Sequence, residues 1–404
     1  MNNFFKTVLV LSVTSLAACG GGGSESGNGS TGGGNPNPNP GGNVTYVSGS
    51  FKNAIETGDY FNKVDPVNGA IDQYGSLAQD CVAQNEYYFE SANVQVYGVQ
   101  GLPETDFKQV ATWIEDGLEA TLAKMNISVS DLMEKRRSLA IWAYTDGAFA
   151  VSEQLVSGVQ YPSDYESWDY DDKVQFGKTY LANASYDERI QIVQDYYASL
   201  GYSMTEQEIS YGKKVRVCLH QSDNSFRYGE GVFNGMNVAA PSVNTVNNNT
   251  QVINHELVHM VQEGIAHTTN TNPMSRWFLE GQAVVISGQE VASHTSHNDY
   301  DTPKFVSYYD ENGYDQAEIY KHYGLAYKYI QDANGIDAIM NMIADLRNYD
   351  QLYTQLPSGY EFNGEDSAAF VLVWDNAGLV DKNNDALSLQ RWISEYHQLM
   401  DLTQ

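Results

Sequence analysis

The sequence predicts an α+β protein that is mainly helical and carries a small antiparallel sheet. Three observations support this fold class. Apolar residues recur at helical spacing in several stretches, for example over residues 107–125. Short stretches at 91–98 and 215–220 alternate between apolar and polar residues, which is typical of strands with one buried face. The chain has 404 residues and is 42% hydrophobic, which suffices for two domains with substantial cores.

The first 43 residues predict a targeting segment and a tether. Residues 1–18 contain Lys6, a short apolar run and then small residues, which is the pattern of a signal peptide. The end of this segment and the next residue, L-A-A-C, resemble a bacterial lipoprotein processing site. That resemblance implies lipid attachment at Cys19 and a place in the cell envelope, most simply the outer membrane. A plain signal peptide with an incidental cysteine is the alternative. Residues 19–43 are rich in Gly, Asn and Pro, so we expect a flexible tether.

Two folded domains are expected after the tether. The first, residues 44–184, is predicted to be mixed and helix-rich, with helices over 107–125 and 131–156. The second, residues 185–404, is predicted to contain the following elements in chain order: a helix over 186–200, strands over 215–220 and 231–240, helices beginning near 253 and 277, a helix over 319–332, and three further helices between 335 and 404.

The charge of the chain limits its partners. The formal net charge is −29, and such a surface repels phosphate backbones, so we expect no nucleic-acid partner. The acidity has two possible reasons: solubility in a salty or cold habitat, or an acidic binding face. We favour solubility.

The cysteines predict one cross-link. If Cys19 carries lipid, Cys81 and Cys218 are the remaining thiols. In an oxidising envelope compartment they are expected to pair with each other, which would join the two predicted domains. Two unrelated buried thiols are the alternative.

The residues that indicate chemistry lie at 253–260, which reads I-N-H-E-L-V-H-M. On a helix, His255 and His259 project from one face and can bind one metal ion. Glu256 lies beside them, where a general base for the attacking water is needed. A catalytic zinc takes three protein ligands. Glu280 is the best candidate for the third, because it follows an apolar Trp-Phe-Leu triplet that predicts the buried start of a second helix.

The H-E-L-V-H segment together with W-F-L-E-G-Q-A at 277–283 resembles the gluzincin zinc peptidases. The W-x-x-E-G-x-A form resembles the catalytic half of the bacterial collagenases and related thermolysin-like families. The resemblance covers about residues 213–374 and implies a zincin-type catalytic domain. It also implies one general base, Glu256, and three zinc ligands: His255, His259 and Glu280.

The chain departs from this family pattern at Val284, where gluzincins often carry an acidic residue that accepts a hydrogen bond from a ligand histidine. Another acceptor is therefore expected, such as a backbone carbonyl. The Y-G-L-A stretch at 323–326 resembles a segment of collagenase-like enzymes in which a tyrosine hydroxyl faces the zinc site. The resemblance implies an oxyanion donor there, with Tyr323 as first choice and His322 and Tyr320 behind it. A packed aromatic side chain is the alternative.

Two other patterns leave alternatives open. His294 and His297 lie in an acidic loop and are expected to be solvated rather than to form a second metal site. By the gluzincin resemblance, residues 231–238 could form a strand along the active-site cleft that pairs with extended substrate backbone. A hairpin in the core is the alternative for this stretch.

One loop near the end of the chain resembles part of a calcium site. Residues 381–385 begin like a calcium loop, but Ala386 replaces the turn glycine and Trp392 stands where a bidentate glutamate is needed. We therefore reject an EF-hand. The family resemblance still allows Ca²⁺ at the glycine- and acid-rich surface.

The sequence thus predicts a zinc metalloendopeptidase, anchored to the cell envelope, that acts on a protein or peptide substrate. Glu256 would take a proton from the attacking water and hand it to the leaving amine. The alternative is a surface lipoprotein that keeps the zinc fold as a binding or adhesion module with little turnover.

Overall fold

The computed structural model describes residues 45–53, 87–98, 101–134, 145, 159–199, 203, 214–220, 229–232, 235–242, 249–266, 273–349, 355–358 and 366–402. The predicted signal peptide, the lipidation site Cys19, the tether and Cys81 lie outside these ranges, as does most of the helix predicted at 131–156. Those predictions remain predictions. Cys218 is disulfide-bonded, and its partner lies outside the described residues.

One sheet contains six strands among the described residues, in the order β1-β2-β3-β4-β6-β5. Val94 and Val96 on β3 and Val215, Val217 and Leu219 on β4 are buried, so the predicted alternation does mark the core-facing side. The strands are β1 (Ser50–Asn53), β2 (Tyr87–Glu90), β3 (Val94–Gly98), β4 (Val215–His220), β5 (Gly229–Val232) and β6 (Gly235–Ala239).

The α+β, mainly helical fold class is confirmed, but the sheet is mixed and the expectation of an antiparallel sheet is wrong. β3 pairs with β4, and β4 with β6, in parallel, whereas the other three pairings are antiparallel. Parallel neighbours require a crossover connection of a dozen or more residues. Residues 99–214 lie between β3 and β4, which is long enough for such a connection. The stretch predicted as one strand over 231–240 is part of a β5–β6 hairpin.

Eight α-helices are described, and those predicted around the metal motif are all present. α6 consists of two helical parts joined at Gly335, whose φ of 78° and ψ of 162° lie outside the helical region. The first part corresponds to the helix predicted over 319–332, and the second to the first of the three helices predicted after residue 335. The helices are α1 (Glu104–Lys124), α2 (Tyr170–Tyr180), α3 (Tyr186–Ser199), α4 (Asn249–Ala266), α5 (Arg276–Ser287), α6 (Gln316–Asp345), α7 (Ala368–Asn376) and α8 (Leu389–Asp401).

The sheet and the core cross the predicted domain boundary at residue 184. β3 lies before that boundary and pairs with β4 after it. α1 packs against α4 so closely that a Cβ on Gly117 would overlap the side-chain oxygen of Asn254. Buried apolar residues from Phe89 to Met400 form one cluster. The metal motif is therefore supported by residues from both predicted domains.

The helix that carries Glu280 is fixed by its apolar neighbours. Trp277 and Phe278 are fully buried, and the Trp277 ring lies against those of Trp374 and Trp392, with centroid distances of 5.9 and 5.8 Å. Burial of each of these large aromatic side chains stabilises the fold by roughly 1.5–3 kcal/mol. As expected from the Trp-Phe-Leu triplet, α5 begins in the core.

Glycines allow α5 and α6 to approach each other. A Cβ on Gly281 would collide with the backbone oxygen of Tyr323 and would lie 2.8 Å from the Cβ of Tyr327. One on Gly324 would lie 2.6 Å from a methyl group of Val284. The glycines of E-G-Q-A and Y-G-L-A thus bring Glu280 and the tyrosines of α6 together.

Among the described residues, no helix combines the length and apolar character needed to cross a bilayer.

Candidate metal centre

Two helices bring three possible metal ligands together. His255 and His259 lie one turn apart on α4, and Glu280 lies on α5, which packs against it. Glu280 Oε2 is 3.0 Å from His255 Nε2 and 3.4 Å from His259 Nε2. One ligand atom from each residue lies within 4.8 Å of the others, and all three side chains are buried. The three predicted ligands could therefore hold one metal ion.

The orientation of His259 is determined by Gln262. Gln262 Nε2 donates to the Leu279 carbonyl and to Gln282 Oε1, both at 2.9 Å. A carbonyl can only accept, so the amide nitrogen of Gln262 must face Leu279 and its oxygen must face His259. That oxygen lies 2.8 Å from His259 Nδ1. The proton must therefore sit on Nδ1, which leaves Nε2 to face Glu280 and the candidate metal position.

Gln282 continues this support away from the metal position. Its amide nitrogen donates to the Tyr327 hydroxyl at 2.8 Å. The Gln282 side chain is fully buried, so its amide groups need such partners to avoid a desolvation penalty. The imidazole of His259 is thus held by hydrogen bonds that reach α6.

His255 is held by a residue just beyond α5. Gly288 ends α5 in the left-handed conformation with a φ of 78°, which turns the chain so that Gln289 follows back toward α4. Gln289 Oε1 then lies 2.7 Å from His255 Nδ1. Both histidines are supported by glutamine side chains, so the acceptors come from positions other than 284, as expected, and they are side-chain amides rather than a backbone carbonyl. Val284 packs against Gly324.

A buried ion-pair network surrounds the third ligand. Arg276 Nη1 lies 2.6 Å from Glu280 Oε1, the carboxylate oxygen that faces away from the histidines. Arg276 Nε donates to Glu311 Oε1 at 2.7 Å, and Nη2 donates to the Tyr320 hydroxyl at 2.6 Å. Arg276, Glu280 and Glu311 are between 2% and 7% exposed. At such burial the pairing is required, because a buried charge without a partner is strongly destabilising.

This network determines the charges of the ligands in the metal-free protein. Burial alone would raise the pKa of the Glu280 carboxyl, but Arg276 and His259 outweigh it and hold the pKa well below its usual range. Burial alone would lower the pKa of His259, whereas the charges of Glu280 and Glu256 raise it to about 9. The site is therefore an ionised carboxylate beside a protonated imidazole, and a metal ion would replace that proton.

The predicted base lies on the same helix as the two histidines. Glu256 is 1% exposed, and its charge is close enough to His259 to contribute to the raised pKa of that imidazole. Glu256 therefore lies on the same helix as the two candidate histidine ligands and close to one of them, and its role as the base remains a prediction.

The three residues considered as oxyanion donors have different surroundings. The Tyr323 hydroxyl is fully buried and donates to Glu311 Oε1 at 3.2 Å. The His322 ring lies against Tyr300, with 4.4 Å between centroids. The Tyr320 ring lies beside His255, with 6.1 Å between centroids. The role predicted for Tyr323 remains a prediction, and Tyr320 is the tyrosine whose ring adjoins a ligand histidine.

The two loop histidines are not both solvated, so that expectation is wrong. His297 is 4% exposed, with Nδ1 2.8 Å from the His294 carbonyl oxygen and Nε2 3.1 Å from Asp401. His294 Nε2 donates to the Met400 carbonyl at 2.8 Å. These contacts attach the loop to the end of α8, which covers it.

The loop with calcium-like spacing is closed by an arginine. Asp381 Oδ1 accepts from the backbone amides of Asn383 and Asp385, and Oδ2 lies 2.7 Å from Arg391 Nη2. The guanidinium also donates to the Ala386 carbonyl at 2.8 Å. Arg391 therefore pairs with the carboxylate that begins this loop.

Residues 167–350 match the model of DUF6055, which is described as a family of unknown function. The matched span begins just before α2 and ends just after α6, so it contains the three candidate ligands, Glu256, and the network around Arg276. No curated protein and no solved structure matches the chain.

Proposed function

We propose that this protein is a zinc-dependent endopeptidase that hydrolyses protein or peptide substrates and is anchored to the bacterial cell envelope through Cys19. The convergence of His255, His259 and Glu280 beside Glu256 is the observation that supports this proposal most strongly. The anchor predicts that Cys19→Ser moves the protein from the membrane to the soluble fraction. Unchanged partitioning would contradict it.

The distances from the Glu280 carboxylate to the two imidazoles fit zinc. Ligands bound tetrahedrally at about 2.0–2.2 Å lie roughly 3.3 Å from one another. The distances of 3.0 and 3.4 Å from Glu280 Oε2 to the two Nε2 atoms are close to that value. Gln262 and Gln289 accept at the opposite ring nitrogens, which directs the Nε2 lone pairs to the same position. Two nitrogens and one carboxylate oxygen are a typical set for catalytic zinc.

The chain supplies the proton transfers. Zinc held there would contribute Lewis-acid polarisation of the scissile carbonyl and would acidify the attacking water. The Glu256 carboxylate accepts the proton of that water and passes it to the leaving amine. Glu256 is buried, which limits the access of bulk solvent to this carboxylate.

Tyr320 is the oxyanion donor that this geometry favours. Its ring lies 6.1 Å from that of His255 between centroids, and its hydroxyl oxygen accepts from Arg276 Nη2. The same guanidinium binds Glu280, which places the hydroxyl near the third ligand. The Tyr323 hydroxyl donates to Glu311 Oε1 at 3.2 Å, so it would have to give up this hydrogen bond to act as the donor.

The sheet offers a place for an extended peptide. β5 is the last strand in the order and pairs only with β6 among the described strands, and it contacts α4. An extended peptide can add to such an edge as a further strand, and its main chain then supplies the hydrogen bonds. This arrangement would present many different sequences to the same site.

The function is tested by hydrolysis of denatured casein or gelatin with the zinc-loaded protein. Glu256→Gln keeps the size of the side chain and removes the base, so hydrolysis should fall by at least about 100-fold. Zinc content should stay at one ion per chain. Glu119→Gln on the exposed face of α1 is the matched control and should keep full activity.

Two results would contradict the proposed peptidase activity. Equal hydrolysis by native protein and the Glu256→Gln variant would remove the base from the mechanism. No hydrolysis by native protein on several substrates, with zinc bound, would favour the binding or adhesion module.

A further inference from the structure

Given the zinc site proposed above, on which this step rests, we infer that Arg276 is a positioning residue. It holds Glu280 so that Oε2 alone faces the metal, and it connects this ligand to Glu311 in the following loop. Arg276 touches neither substrate nor metal in this arrangement. It acts through the carboxylate that it orients.

The three nitrogens of the Arg276 guanidinium contact side chains from three different segments. Nη1 lies 2.6 Å from Glu280 Oε1 on α5, Nε donates to Glu311 Oε1, and Nη2 donates to the Tyr320 hydroxyl on α6. The backbone amide of Arg276 donates to the Val306 carbonyl at 3.1 Å. Because the guanidinium is planar and its donors are fixed relative to one another, the hydrogen bonds to Glu311 and Tyr320 determine its orientation, and Nη1 then forms the ion pair with Glu280.

That orientation determines how Glu280 can bind. A carboxylate can offer one oxygen or both to a metal ion. Arg276 and Glu280 lie four residues apart on α5, so the helix itself keeps the guanidinium against Oε1. Oε2 then remains for the side that carries His255 and His259, at 3.0 and 3.4 Å from their Nε2 atoms.

The charge of Arg276 allows the site to exist before metal arrives. Glu256, Glu280 and Glu311 are all buried, and two of these three carboxylates contact Arg276 directly. Buried carboxylates without a nearby cation would separate or draw in water. Arg276 therefore makes the ligand set preformed.

Lysine cannot replace this side chain. Arg276→Lys keeps the positive charge, but its donors radiate from a single nitrogen and cannot reach three acceptors arranged around a plane. Glu280 should then rotate and offer both oxygens. Partners that orient metal ligands typically change metal affinity by about 10- to 100-fold, so zinc affinity should fall by that factor.

The test measures zinc affinity by chelator competition and zinc coordination by X-ray absorption at the zinc edge, on the full chain. Native protein should show one carboxylate oxygen at about 2.0–2.2 Å. Arg276→Lys and Arg276→Met should bind zinc about 10- to 100-fold more weakly, and Arg276→Lys should show an additional oxygen neighbour. Lys328→Met removes an exposed cation from another i,i+4 pair and should leave both measurements unchanged.

The result that overturns the inference is Arg276→Lys protein with native circular dichroism, zinc affinity within twofold of native and the same coordination. Bidentate Glu280 in native protein overturns it as well, and that measurement needs no variant to fold. Neither readout requires peptide hydrolysis. Native protein that binds zinc through one Glu280 oxygen and cleaves nothing would refute the peptidase alone.

Discussion

Replacement of Gln262 by leucine should weaken zinc binding and the fold together. The leucine side chain has a similar size but leaves two buried groups without partners, the Nδ1 proton of His259 and Gln282 Oε1, and it removes the side-chain hydrogen bond to the Leu279 carbonyl. Each such group costs about 1–3 kcal/mol, part of which the added apolar side chain offsets. We expect the free energy of unfolding to fall by about 2–5 kcal/mol, and zinc affinity by about 10- to 100-fold.

Replacement of the same residue by glutamate should separate the two effects. In Gln262→Glu a carboxylate oxygen still accepts from His259 Nδ1, so zinc affinity should stay within about threefold of native. The carboxylate cannot donate to the Leu279 carbonyl or to Gln282 Oε1, so the free energy of unfolding should still fall, by about 2–4 kcal/mol.

Chelator competition measures the affinity, and urea denaturation of metal-free protein measures the stability. The exposed Gln191 on α3 provides a matched control, and Gln191→Leu should change neither quantity. Zinc binding by Gln262→Leu within twofold of native would refute the reasoning that Gln262 fixes the imidazole.

Three further predictions follow from the same structure. The pKa of His259 in metal-free protein is raised to about 9, above its unfolded value, so its ion pair stabilises the fold at low pH. That contribution should be lost as the pH rises from about 6.5 to 9, and zinc affinity should rise by up to about tenfold per pH unit over this interval. Tyr320→Phe should lower kcat about 100-fold or more, and Tyr323→Phe should lower it less; the reverse order would favour Tyr323 as the donor. Burial and the nearby Asp310 charge raise the pKa of Asp366 to about 7, so the unfolded chain loses this proton first and stability falls as the pH rises from about 4 to 7. Asp366→Asn should therefore add about 2–4 kcal/mol more to the free energy of unfolding at pH 8 than at pH 4. An equal effect at both pH values in urea denaturation would contradict the raised pKa of Asp366.

The parts of the site that sequence reasoning could reach are local. His255, Glu256 and His259 lie on one helix, and helical geometry alone puts the two imidazoles on one face. Glu280 follows an apolar triplet, and burial of that triplet fixes the start of α5. These positions required only short-range spacing and hydrophobic burial.

The supporting residues depend on contacts that spacing does not show. Gln289 reaches His255 only because Gly288 takes a positive φ, and no residue type near it signals a partner for histidine. Gln262 lies one turn after His259, and helical spacing alone brings a side chain at that position within reach of the imidazole. Arg276 could also have been found, since an arginine four residues before a predicted buried glutamate is the spacing of a helical ion pair.

The wrong predictions about the sheet and the loop histidines also arise from contacts between distant parts of the chain. Parallel pairing of β3 with β4 joins residues that are far apart in the chain, and alternation within each strand carries no information about its neighbour. His297 is polar and sits in an acidic loop, yet α8 covers it because its carboxyl-terminal end accepts hydrogen bonds from this loop. Burial of a polar residue follows from tertiary contacts that composition does not reveal.

The most direct test of the account is a crystal structure of the full chain with zinc, with the ion located by its anomalous scattering. The account predicts one ion within about 2.0–2.2 Å of His255 Nε2, His259 Nε2 and a single oxygen of Glu280. Arg276 should remain on the other oxygen of that carboxylate. A zinc ion bound elsewhere, or an ion at the two histidines with Glu280 turned away, would contradict it.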